Sequence, residues 1–278
     1  MNSVATTATT GISLTSPTRR ASFVVTALAV AGRTVRKYMR TPQLVIFGTM
    51  TALLWMVIFR YVLGGAIEAG RVSYVDYLVP GFVVGYGVLY QGTMAAVGVA
   101  EDIEHGFFDR LRSLPVRRSA LLAGRAVADT LVVVYGLLIA TGFGFLFGFR
   151  LHGEITEALL ALGLCAVYGF AFSWLFICIG LAAGTAQGAQ GMSMVVFLLW
   201  FVSSAFVPIE SLPGWLESVA SNQPLTSMFN SVRALLLGDP ALAGLSQSTT
   251  HYVVVSLVWS AGLMLVFAPL AAARYNRV

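Results

Sequence analysis

Charge is scarce in this chain of 278 residues: only 10% of the side chains are charged, 58% are hydrophobic, and the mean hydropathy is +0.82. A typical soluble domain carries about 25% charged residues. A water-soluble globular protein is thereby excluded, and the natural solvent of the chain is a bilayer. Lysine is nearly absent, with Lys37 alone against sixteen arginines. A phosphate-cradling loop needs lysine directly after its second glycine, whereas Lys37 sits in Arg36-Lys37-Tyr38. The chain therefore holds no P-loop ATPase of its own and is expected to be no enzyme. Cysteine is equally rare. Cys165 and Cys178 lie thirteen residues apart in one apolar run, which on a helix rising about 1.5 Å per residue is roughly 20 Å, beyond disulfide reach. Both are expected to be buried free thiols. The three histidines, His105, His152 and His251, fall in different loops and ends with no His-x3-His or Cys-x2-Cys spacing, so no metal site is expected. Gly191-Met192-Ser193-Met194-Val195 lacks the second glycine of a nucleophile elbow.

What the chain has is long uncharged windows. About 20 such residues cross the hydrocarbon core as a helix, and windows of this kind run over 41–59, 77–100, 130–149 and 252–273. A fifth, 158–209, is too long for one helix and is expected to break at the glycine- and glutamine-rich stretch from Gly184 to Gly191. The fold class is therefore an all-α integral membrane protein with six transmembrane helices, over about 42–63, 77–100, 127–149, 157–183, 190–208 and 250–273. No acid or base is expected inside the spans, which argues against a proton relay.

Orientation follows from the arginines and the one lysine in the short flanks. With the N-terminus inside, thirteen of the seventeen basic residues are cytoplasmic, and Arg60, Arg71, Arg150 and Arg233 are left outside together with seven of the twelve acids. Both termini are predicted to be cytoplasmic. The net charge of +5 is thus a sidedness signal, with no nucleic-acid surface behind it. Residues 1–20, rich in serine and threonine, are expected to form a disordered tail without the features of a signal peptide. Residues 21–278 form one membrane domain. It opens with an interface helix over 21–40, N-capped by Ser22, in which Val24, Leu28, Ala31, Val35 and Met39 recur at helical spacing beside Arg33, Arg36, Lys37 and Arg40. Its basic face suits anionic membrane lipids or a cytoplasmic partner. Thr41-Pro42 then supplies an N-cap and an N1 proline for the first span.

The densest charge cluster is the cytoplasmic segment from Glu101 to Arg125. A helix over 101–115 carries acids first and bases last, which complements the helix dipole, and Ile103, Phe107, Leu111 and Leu114 form an apolar stripe. Such a helix either rests on headgroups or docks into another protein. On the other side, Pro208, Pro213 and Pro224 break helices, Trp215 suits an interface, and Met228, Phe229, Val232, Leu235 and Leu236 form a stripe. Two short helices over 209–240 are expected to re-enter the outer leaflet, which requires protein to cover their open backbone. Gly81, Gly85, Gly92 and Gly98, with Gly142 and Gly144, permit close helix packing.

Glu104-x-Gly106, Arg110-Leu111, Leu114-Pro115 and Leu122-x-Gly124-Arg125 resemble a run found in ABC-2 type transporter permeases, with Arg125 where lysine is common. A second stretch agrees: Val207-Pro208, Leu212-Pro213-Gly214-Trp215-Leu216, Asn222-Gln223-Pro224-Leu225 and Val232-Arg233 onward to Gly238. Its Asn-Gln-Pro form is similar to the daunorubicin-resistance permeases of actinobacteria. The resemblance spans nearly the whole chain and implies a permease subunit of an ABC exporter in the bacterial plasma membrane. It implies that the helix after span two is a coupling helix on a separate ATP-binding subunit, with Glu101, Glu104, His105, Gly106, Phe107 and Arg110 as contact residues. It implies that Pro208, Pro213, Trp215, Asn222, Gln223, Pro224 and Arg233 belong to an outer gate, or to a plug of the dimer. The implied partners are two copies of the ATP-binding subunit and a second permease subunit, identical or paralogous. No cofactor is expected on this chain, since ATP and magnesium belong to the ATP-binding partner. The implied cargo is a lipophilic drug-like compound or lipid. A polysaccharide or glycolipid exporter, and a nucleotide-independent carrier or membrane scaffold, are the alternative readings.

Overall fold

The structure is a computed structural model that describes residues 22–65, 72–112, 118–239 and 244–277. The predicted tail over 1–20, residues 113–117 of the cytoplasmic segment and residues 240–243 of the outer segment lie outside the described residues. Their regular secondary structure is all helical, with no strand among the described residues. In chain order the helices are α1 (Phe23–Arg40), α2 (Pro42–Ile58), α3 (Tyr74–Gly85), α4 (Gln91–Glu104), α5 (Phe107–Arg112), α6 (Arg118–Leu146), α7 (Ile155–Ala183), α8 (Ala186–Phe201), α9 (Gly214–Ser221), α10 (Pro224–Leu237) and α11 (Thr249–Tyr275). Two π-helical turns, Phe59–Leu63 and Tyr86–Tyr90, extend α2 and join α3 to α4. A π turn inside a helix is frequent at functional sites.

Four helices among the described residues are long and apolar enough to cross a membrane: Tyr74–Glu104, Ser119–Leu146, Ile155–Ala183 and Thr249–Tyr275. Leu53–Val62 and Ala186–Phe201 are shorter apolar helices. The chain is accordingly a multi-pass membrane protein. The π-joined α3–α4 rod is the most enclosed, while α11, packed on α7 and α10, keeps few residues fully buried and turns one face outward. In a bilayer such an outward face meets acyl chains or a neighbouring subunit. Helices are the only open option there, because each backbone N–H and C=O must find its partner within the segment.

The core has two parts. The larger gathers Tyr77, Leu78, Phe82 and Leu89 of the central rod against Phe172 and Phe176 of α7 and Phe229 of α10. The smaller sits at the end that bears Arg33, Lys37 and Arg125, called here the basic end, and joins Phe108, Leu121, Ile177, Leu181 and Tyr275. Cys165 and Cys178 are both free and buried, as expected.

Several expectations change. The Gly184–Gly191 stretch is a break of only two residues, because Gly184 closes α7 with φ +69° and the Thr185 hydroxyl caps α8 by accepting from the Gly188 N–H. Gln187 to Gly191 are helical. The fifth span, expected over 190–208, ends as an α-helix at Phe201, after which the chain turns through 202–206. Its sixteen residues span about 24 Å, short of a bilayer core of about 30 Å. The helix expected over 101–115 is broken at His105–Gly106, where Gly106 takes φ +61°. Neither Ser22 nor Thr41 caps with its side chain. Thr41 Oγ1 instead donates back to the Lys37 carbonyl at 3.0 Å and so closes α1. Gly142 makes no close approach, whereas Gly81 faces Ala205, Gly92 faces Phe176 and Gly144 faces Val79. Nor are the spans free of charge, since Asp129 lies buried within α6.

Candidate functional site

At the basic end, the last turn of α4 sends three acids in three directions, because successive residues on a helix are about 100° apart. Asp102 points inward and is 8% exposed. Its carboxylate accepts from Arg33 Nη2 of α1 at 2.9 Å and from Arg125 Nη1 of α6 at 3.3 Å. Glu101 points toward α1 and meets Lys37 Nζ at 2.7 Å. Glu104 points to the surface. Arg125 then donates Nε to both carboxylate oxygens of Asp129, at 3.1 and 3.0 Å, and Nη2 to the Ala95 carbonyl at 3.0 Å. Three helices are thus sewn together by the chain of charges Arg33, Asp102, Arg125 and Asp129. Gly98 makes this possible, since a β-carbon there would lie 2.7 Å from Arg125 Nη2. Behind the cluster, Tyr38 stays a neutral phenol, held above its ordinary pKa first by burial and then by the negative charge of Asp129.

The break at Gly106 has a local cause. Its N–H bonds the Ile103 carbonyl and the His105 N–H bonds the Glu101 carbonyl, which ends α4 in the left-handed region that glycine tolerates. His105 Nδ1 lies 2.7 Å from the Glu101 carbonyl, and Arg110 donates Nη2 to the His105 carbonyl at 2.9 Å. α5 therefore leaves α4 at an angle fixed by its own backbone and by Arg110. Two aromatics pin α5 from below. The Arg33 guanidinium lies 3.8 Å over the Phe107 ring, and Phe108 meets Tyr275 of α11 edge to face at 5.0 Å. Of the six residues expected to contact a partner, Glu104, His105 and Arg110 are exposed. Glu101 is half-covered by its lysine, Gly106 forms the turn, and Phe107 lies under Arg33.

The opposite end is organised by Arg233 of α10, which is fully buried. Beyond the end of α8 at Phe201, the carbonyls of the 202–206 turn need donors from elsewhere. Arg233 Nη2 donates to the Ser204 carbonyl at 2.7 Å, Nε to the Tyr77 carbonyl at 3.0 Å and Nη1 to Asn230 Oδ1 at 2.8 Å. Its guanidinium lies 3.7 Å over the Tyr77 ring. Tyr77 and Tyr74 hydroxyls donate to the Ser204 and Phe206 carbonyls, each at 3.1 Å, and Gln223 Nε2 donates to the Val202 carbonyl. One arginine, two tyrosines and a glutamine thus satisfy the backbone that the short α8 leaves open. The outer residues divide accordingly. Gln223 and Arg233 are inside, Pro208 and Pro224 are partly covered, and Pro213, Trp215 and Asn222 are exposed. Asn222 Nδ2 donates to the Ser218 carbonyl and closes α9, and Pro224 opens α10.

The profile of the ABC-2 type transporter family matches residues 26–237, a stretch that contains both ends just described. The chain belongs to the ABC-2 type transporter family. It is 31% identical over 260 residues to the daunorubicin resistance ABC transporter permease protein DrrB1 of Streptomyces coeruleorubidus, covering 92% of this chain and 88% of that one. It is 26% identical over 256 residues to the probable doxorubicin resistance ABC transporter permease protein DrrC of Mycobacterium tuberculosis, covering 92% and 90%. As a permease of this family the chain is the membrane subunit of an ABC exporter and associates with an ATP-binding subunit and a permease partner.

Asp102, Asp129, Tyr77 and Asn230 belong to no sequence motif that marks these clusters, and Arg33 stands only in the basic face of α1. Arg125-x3-Asp129 and Asn230-x2-Arg233 stand at helical neighbour spacing, so half of each cluster was open to view. The partners from other helices carry no such local mark.

Proposed function

We propose that the chain is a six-span permease with both termini cytoplasmic, which pairs with a second permease subunit and with two ATP-binding subunits to expel a lipophilic drug-like compound. The basic end then faces the cytoplasm, in keeping with the excess of arginine and lysine there. α2 with its π turn and α8 complete the crossings that the four longer helices begin. The relatives named for daunorubicin and doxorubicin resistance support a planar, largely apolar cargo.

The observation that carries this reading is the turn between α4 and α5. It presents Glu104, His105 and Arg110 outward, and it is tied through Asp102, Arg33 and Phe107 to α1 and α6. A push on this turn by a partner would therefore reach three helices as one body. ATP and magnesium bind on the partner, and this chain supplies the surface that its closure moves. At the other end α9 and the exposed Trp215 form the movable part of an outer gate, while Arg233 and Gln223 hold its fixed base.

The test is Glu104→Arg in proteoliposomes holding the complete transporter. Charge reversal at an exposed contact should lower ATP-driven doxorubicin export about tenfold, equivalent to about 1.4 kcal/mol of docking energy, with membrane insertion unchanged. Export at the level of the parent protein would remove Glu104 from the coupling surface.

A further inference from the structure

In the half of the molecule away from the basic end, α3, α6, α7 and α10 enclose an apolar cavity of about 230 Å³. Val79 and Val83 of α3, Val232 of α10 and the small side chains of Thr141, Ala158 and Ala161 leave this space between them. It is open on one side. Leu138 and Phe145 of α6 and Leu159 of α7 line it and are 54%, 46% and 63% exposed, on faces that a bilayer must cover. Directly above this opening the chain turns from α6 to α7 through Phe149-Arg150-Leu151. Phe149 and Leu151 are part of the lining, and the Arg150 side chain is exposed between them. The loop is held in place, because the Arg150 N–H donates to Asp76 Oδ1 at 2.9 Å. A second cation is near, since the Arg60 guanidinium comes within 3.5 Å of where a β-carbon on Gly148 would stand. The acids nearest this loop in the chain and in space, Asp76, Glu154 and Glu157, are engaged locally. Asp76 receives the Arg150 N–H and the Ser73 hydroxyl, and Glu154 and Glu157 are closed in the capping box of α7.

We infer that this cavity is a binding site for one acyl chain of a resident glycerophospholipid, whose phosphate rests on Arg150 at the mouth. Thr141 alone brings a side-chain hydroxyl to this lining, fewer partners than the roughly 2–4 that hold a buried water. An empty void forfeits the dispersion contacts of its walls, and a cavity of about 150 Å³ lined by apolar side chains already takes up benzene. A lipid tail, unlike a solute arriving from water, is at hand on the open side and gives up no hydration to enter. Its headgroup must then lie at the level of the α6–α7 turn, where the exposed cation stands. The site depends only on the chain lying in a bilayer and not on which cargo is expelled.

The test uses the purified full-length protein in nanodiscs of phosphatidylglycerol and phosphatidylethanolamine, doped with phosphatidylglycerol bearing a photoreactive diazirine near the end of one chain. After illumination, adducts are mapped by mass spectrometry. The expected result is labelling concentrated on the peptides over 137–165, above the 249–275 peptide, whose outward face takes no part in this cavity and serves as internal control. Ala161→Trp, which fills the cavity, should cut the 137–165 adducts about tenfold, a loss of one decade in occupancy, while the control is unchanged. Arg150→Glu leaves the cavity intact, so it should weaken labelling by the phosphatidylglycerol probe and spare labelling by a diacylglycerol carrying the same chain. Even labelling of both peptides in the parent protein, or Ala161→Trp adducts equal to those of the parent, would overturn the site. Equal loss of both probes in Arg150→Glu would overturn the phosphate contact. Displacement of the adducts by doxorubicin would show a cargo site in place of a lipid site.

Discussion

Four ionised side chains at the basic end differ greatly in worth. Lys37 and Glu101 are 47% and 39% exposed, and a surface pair of this kind contributes about 0–1 kcal/mol. Arg125 and Asp129 are 10% and 3% exposed. Taking one partner away from a buried pair strands the other charge and costs about 3–5 kcal/mol, whereas replacing both by apolar side chains of similar volume is often neutral. Asp129→Ala should therefore lower the folded yield and the melting temperature strongly. The double change Asp129→Leu with Arg125→Met should recover most of the melting temperature, as thermal unfolding in detergent would show. Because Arg125 also binds Asp102 and the Ala95 carbonyl, recovery is expected in stability but not in export, which needs α4, α6 and α1 to move together.

At the scale of elements, α8 and α10 depend on each other. α8 gives way to a turn whose Val202, Ser204 and Phe206 carbonyls lie outside any helix, and Arg233 reaches from α10 to the Ser204 carbonyl while Tyr77, Tyr74 and Gln223 donate to the same set. Arg233→Met keeps the volume and removes three donors, while the Ser204 carbonyl keeps the Tyr77 hydroxyl and Asn230 Oδ1 keeps the Ser204 hydroxyl, so the cost is that of lost charge-assisted hydrogen bonds, about 1.5–3 kcal/mol. Protease accessibility of the 202–206 turn should rise. Arg233→Lys should be intermediate, because an ammonium can satisfy some of these acceptors but lacks the planar fork. The long helices were legible from composition, since an uncharged run has few alternatives in a bilayer. The end of α8 was not, because Val202 to Val207 is as apolar as a helix interior and stops being one only through donors that stand on other helices. α10 was visible from its proline opening and stripe, yet the role of its arginine was hidden. In sequence Arg233 reads as one more outer cation, and only packing shows that its partners are carbonyls. The turn at Gly106 lay between these cases: the glycine was evident, and its left-handed conformation follows from contacts with Glu101 and Ile103.

For the whole molecule, two rigid anchor points stand at opposite ends of one enclosed rod, α3–α4. Asp102 near its foot ties it to α1 and α6, and the Tyr77 carbonyl near its head ties it to α10. The π turn at Tyr86–Tyr90 lies between them, with Phe82, Tyr86 and Tyr90 stacked along it at 6.1 and 4.9 Å. A displacement applied at the foot would thus be carried along the rod toward Arg233 and the base of the proposed outer gate. All of this presumes that the ATP-binding subunit docks at the α4–α5 turn. The direct measurement places a photoreactive amino acid at His105 or, as a control, at Trp215 on exposed α9, in cells that also produce the ATP-binding subunit. A cross-link to that subunit is expected from position 105 and none from position 215. A cross-link from position 215 with none from position 105 would contradict both the coupling surface and the orientation of the chain.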